Sequence, residues 1–125
     1  MDGIKGNRFA VLGRAYYDAG KRPRALEYLR KARRLDTQNF EAAYWEGRIE
    51  GDANHHGAAA KALEQAVKVA PDKGRDAQDA LRRLGRAYVA LGRNAAAKDA
   101  FMRYLEIAPP DASGRKEAQR LLRDL

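Results

Sequence analysis

The pentapeptide LGRAY stands at residues 12–16 and again at 84–88. A chain of 125 residues that spells five residues twice is built from copies of one unit. The flanks echo as well: LGRAYYDAGKRPRALEYLRKARRLD in the first third answers LGRAYVALGRNAAAKDAFMRYLEIAP in the last. The offset is 72 residues, twice 34 plus four, and a weaker copy, EGRIE at 46–50, lies 34 residues after the first. Each copy is followed by an alanine, a large apolar residue and usually a second alanine. These are Ala25, Leu29 and Ala32; Ala59, Leu63 and Ala66; Ala97, Phe101 and, breaking the rule, Tyr104. Pro71 and Pro109 close the second and third copies, where the first has Thr37.

Within the first copy Phe9, Leu12, Tyr16 and then Leu26, Leu29 recur at helical spacing, interrupted by DAGKRP at 18–23. Gly20 suits a helix end and Pro23 the first turn of the next helix. Each copy therefore reads as an antiparallel helix pair. Gly13, Gly47 and Gly85 fall mid-helix, where glycine costs about 1 kcal/mol against alanine. Set against Ala25, Ala59 and Ala97, they predict a close helix approach. After Pro109-Pro110, AQRLLRDL at 118–125 echoes AQDALRRL at 77–84. A seventh helix over about 114–125 is expected to cover the apolar edge of the third copy, as stacked repeats require. Its Arg115, Lys116, Arg120 and Arg123 are expected to face water. Replacing Leu12 or Leu84 by alanine should cost about 2–5 kcal/mol. The fold class expected is all-α.

This pattern resembles the tetratricopeptide repeat, a 34-residue unit reading W-x2-L-G-x2-Y, then A-x3-F, then P. Three copies fit, at 6–39, 40–73 and 78–111, with GRDA at 74–77 as an insertion. The second is degenerate: Ala43, Glu46 and Glu50 stand where the pattern wants a large apolar residue, Leu and Tyr. The resemblance implies one domain over 1–125, a right-handed α-solenoid of three antiparallel helix pairs plus the capping helix.

In that family the first helices line a concave groove that takes ligands at fixed repeat positions. Carried over, the groove residues are Arg14, Tyr17, Tyr44, Trp45, Arg48, Arg82, Arg83 and Arg86. Arginine presents a rigid fork suited to carboxylates, and aromatics supply contact area. The expectation is a non-enzymatic adaptor binding an acidic segment of another protein, with Tyr44 and Trp45 as apolar anchors. Alternatively the arginines are surface charges paired with Asp18, Glu41, Asp52 and Asp79. A second function class is self-assembly, for which an exposed Tyr44–Trp45 patch would speak. The two-carboxylate clamp of some family members fits poorly, since Ala10, Arg14, Trp45 and Asp79 depart from it and only Arg83 matches.

Lys and Arg outnumber Asp and Glu by 25 to 17, which favours acidic partners. KRPR at 21–24, RK at 30–31 and RR at 33–34 form a second basic cluster on the outer helix of the first copy. Nucleic-acid or membrane-surface binding through it gains little support, because the aromatics hold repeat-core positions. His55 and His56 lack further ligands at metal-site spacing, and no cofactor motif occurs. With no cysteine, no apolar run of membrane length and no leader-like start, the expected location is cytoplasmic. Seventeen arginines to eight lysines hint at a GC-rich bacterial source.

Overall fold

The computed structural model describes residues 2–125. Its seven helices are α1 (Asp2–Asp18), α2 (Arg22–Leu35), α3 (Phe40–Asp52), α4 (His56–Val69), α5 (Arg75–Ala90), α6 (Asn94–Ile107) and α7 (Arg115–Asp124). No strand occurs among the described residues. Helices pack in the pairs α1/α2, α3/α4 and α5/α6, each pair rests on the next, and α7 rests on α6.

Local chemistry places the boundaries. Pro23 sits in the first turn of α2, and the Asn39 side chain accepts from Ala42 N–H at 2.9 Å to start α3. The inner turns of all three pairs reverse at the same repeat position, with Gly20, Asn54 and Gly92 at φ of 78°, 63° and 73°. That left-handed backbone favours glycine and tolerates asparagine. Three residues of the GRDA stretch prove to be helical: Asp72 accepts from Gly74 N–H at 2.8 Å just before α5, and Arg75, Asp76 and Ala77 form its first turn.

The mid-helix glycines do pack closely, against a different neighbour from the one expected. A methyl group on Gly13, Gly47 or Gly85 would stand 2.7, 2.5 or 2.6 Å from a side-chain carbon of Leu29, Leu63 or Phe101. Those three side chains are fully buried and fill the space between paired helices. Leu84 is 5% exposed but Leu12, its repeat equivalent, is 39% exposed, so the equal cost expected for truncating them does not hold. No helix packs on the outer side of α1, whereas α5 is flanked on both sides. Arg115 also departs from expectation. Instead of facing water it donates to the Leu105 and Ala108 carbonyls at 2.8 and 3.0 Å, closing the C-terminus of α6.

Candidate functional site: the inner groove

Helices α1, α3 and α5 lie side by side, with their partners α2, α4 and α6 behind them. Trp45 on the central helix is bracketed by two guanidinium groups, Arg14 at 4.0 Å and Arg48 at 4.6 Å from its ring centroid. Tyr17 tilts onto the same ring at 5.0 Å, and Trp45 Nε1 donates to Glu41 at 3.2 Å. Trp45 is left 6% exposed and Tyr44 1%. The exposed Tyr44–Trp45 patch that would have spoken for self-assembly is therefore absent. The central helix is covered from both neighbours, and Phe40 stacks on Tyr44 at 5.5 Å.

Asp79 is the hub of the α3–α5 side. It accepts from Tyr44 Oη at 2.6 Å, Arg82 Nη2 at 2.7 Å and Arg83 Nε at 2.7 Å. Burial works against its carboxylate, but these three donors hold it below its ordinary pKa. Burial and the Asp79 bond push the Tyr44 phenol up. Arg83 also reaches Asp52 at 3.2 Å, and Arg86 forks onto Glu117 of α7. The Arg86 bonds hold the Glu117 carboxyl below its usual range. Arg14 pairs with Asp18 at 3.3 Å.

Four of the five groove arginines thus carry a carboxylate; Asp18, Asp52 and Asp79 are acids the paired-charge alternative names, Glu117 is not, and Glu41 binds Trp45 instead. Arg48 is the exception: among the described residues it has no acidic partner. Its Nη1 donates to Tyr44 Oη at 3.1 Å, and its Nε is buried with no hydrogen-bond partner.

Behind the groove, two acidic residues at apolar repeat positions turn inward. Glu46 and Glu50 are 6% and 4% exposed. Arg33 binds Glu46, and Arg30 lies 4.0 Å from Glu46 and 3.2 Å from Glu50. Burial raises the Glu46 pKa in spite of these arginines. Arg30 and Arg33 of the second basic cluster are accordingly spent on an internal seam, and Lys31 pairs with Glu27 at 3.6 Å. Sequence reading missed this seam and the role of Glu117. The available signal was two glutamates at core positions, preceded by two arginines one helix earlier.

The chain matches the family model for the tetratricopeptide repeat over residues 11–50 and 46–112. It belongs to the tetratricopeptide repeat family, whose helical solenoids generally serve as non-enzymatic protein-interaction scaffolds. Two solved structures share the fold. The N-terminal domain of stress-induced protein-1 (STI-1) from C. elegans is 21% identical, with a TM-score of 0.79 and 97% of each chain covered. MamA is 26% identical, with a TM-score of 0.74, covering 94% of this chain and 74% of that one. No curated protein matches the sequence. Among the described residues no helix is long and apolar enough to cross a membrane.

Proposed function

We propose that the chain is a single repeat domain, with repeats at 6–39, 40–73 and 78–111 and α7 as cap, whose inner groove binds an acidic segment of another protein in the cytoplasm. The observation that carries this is Arg48. A guanidinium has five donors in a fixed fork, and Arg48 lies against Trp45 with one Nη bonded to a phenol and no carboxylate opposite. A partner carboxylate would complete it with charge-assisted hydrogen bonds. Arg14, Arg82, Arg83 and Arg86 each already hold a carboxylate, so among the described residues Arg48 is the groove arginine left for direct capture. Tyr17 remains as the half-buried aromatic of the groove, while Tyr44 and Trp45 form its floor.

The test is a pull-down with the chain, with Arg48→Glu and with Arg34→Glu, the last being an equal charge change on exposed α2. A protein held by the first and third baits and lost by the second places binding in the groove. Equal retention by all three refutes the reading.

A second reading, self-association, is favoured by one observation: Ile4, Val11 and Leu12 of α1 are 58%, 64% and 39% exposed. Light scattering over a concentration series tests it, and a species monomeric throughout removes it.

A further inference from the structure

The groove has two seams between its inner helices, and one repeat position closes only the first. In the first repeat that position is Tyr17, whose ring rests on Trp45 of the next inner helix. In the second repeat the equivalent residue is Gly51, and the residue equivalent to Trp45 is Arg83. Where an aromatic pair seals the α1–α3 seam, the α3–α5 seam therefore keeps a notch of about 240 Å³, lined by Gly51 and Arg83. A methyl group added at Gly51 would meet only Ala59 Cβ, at 3.7 Å, which is ordinary contact. Gly13, Gly47 and Gly85 make room for a packed side chain that a methyl would overlap; Gly51 has only the Ala59 methyl opposite, without overlap.

The notch has two kinds of wall. Ala59, Leu63 and Ala87 give it an apolar floor beside the backbone of Gly47 and Gly51. Its rim carries Arg83 and Arg86, with Asp52 and His56. The volume exceeds the roughly 150 Å³ of a dry cavity that accepts a benzene ring.

We infer that this notch is a recognition pocket for one bulky apolar side chain of the bound segment, Leu, Ile, Met or Phe, with a carboxylate residue beside it. The inference rests on the groove reading above and adds to it the residue type that gives the segment its register. The apolar lining takes the side chain. Arg83 and Arg86 on the rim are already held by Asp52, Asp79 and Glu117, so the neighbouring acid falls to Arg48, three residues before Gly51 on the same helix. Burying such a side chain is worth about tenfold or more in affinity.

The experiment is selection of random phage-displayed dodecapeptides on the intact chain, followed by affinity measurement on the enriched peptides. Gly51→Leu fills the notch, and Gly51→Ala, which the geometry admits without a clash, narrows it. The expected result is peptides rich in Asp and Glu around one large apolar residue. Replacing that residue by alanine weakens binding to the intact chain about tenfold or more. The same replacement has little effect on Gly51→Leu and an intermediate one on Gly51→Ala. Acidic peptides without an apolar preference, or an alanine penalty equal on all three proteins, overturn the pocket and leave the groove reading standing. Selection of no acidic peptides overturns both.

Discussion

Tyr44 Oη and Asp79 Oδ2 are joined by a 2.6 Å hydrogen bond that crosses from α3 to α5. The two residues are 35 apart in sequence, about one repeat, so this bond is a repeat-to-repeat tie rather than a local one. Asp79 keeps Arg82 and Arg83 when the phenol is removed. Tyr44→Phe should therefore cost only about 1 kcal/mol, the net worth of one hydrogen bond, in urea unfolding. It should also lessen the downward shift of the Asp79 pKa, readable by side-chain carboxyl NMR.

Acid should loosen the fold through two carboxylates and tighten it through a third. Asp79 and Glu117 sit below their ordinary values of 3.8 and 4.5 in the folded chain. Their contributions are full above those values and are lost as pH falls through the folded ones. Glu46 has the opposite sign: its folded pKa lies above 4.5, so its contribution falls as pH rises through that window. Melting followed by circular dichroism from neutral pH down to the acid range should show a net loss. Asp79→Asn should flatten that loss, and Glu46→Gln should steepen it.

The Glu46 site also predicts an asymmetric pair of variants. Glu46→Leu restores the apolar residue the repeat pattern favours there and leaves Arg33, 27% exposed, free to reach water. Removing the buried carboxylate while Arg33 and Arg30, 27% and 48% exposed, can turn to water should be neutral or stabilising. Arg33→Met removes the partner and keeps the buried charge, which costs about 3 kcal/mol or more. Denaturant midpoints should move in opposite directions.

The two LGRAY copies should answer differently to the same change. Leu84→Ala empties a buried site and should cost about 2–5 kcal/mol. Leu12→Ala, at an exposed outer face, should cost less than about 1 kcal/mol. Gly85→Ala should destabilise by about 1–3 kcal/mol, because its new methyl would overlap the Phe101 ring. Differential scanning calorimetry on the three variants checks the order.

What could be read from residues alone was whatever repeats. The helix pairs and the turn at Gly20 follow from the 34-residue register, and the groove positions from the family resemblance. The copy-specific features did not follow. Arg14, Arg82, Arg83 and Arg86 sit where the register puts them, yet their partners depend on which acid a neighbouring helix presents. Glu117, on a helix outside the three copies, had no counterpart from which its bond to Arg86 could be read. The burial of Tyr44 and Trp45 escaped for a related reason. A repeat position exposed at the end of a stack is covered in its middle.

The polar ties between neighbouring repeats are all different. Arg30 and Arg33 meet Glu46 and Glu50, Tyr44 and Arg83 meet Asp79 and Asp52, and Arg86 meets Glu117. Three units with near-identical apolar signatures could otherwise stack out of order while the chain folds, the third settling on the first. Such a wrong neighbour would bury Glu46 and Glu50 without Arg30 and Arg33, at several kcal/mol, and would leave Asp79 without the Tyr44 hydroxyl. The mismatched charges thus act as an address on each seam, and the order of the repeats is enforced by what the wrong order would leave unpaired.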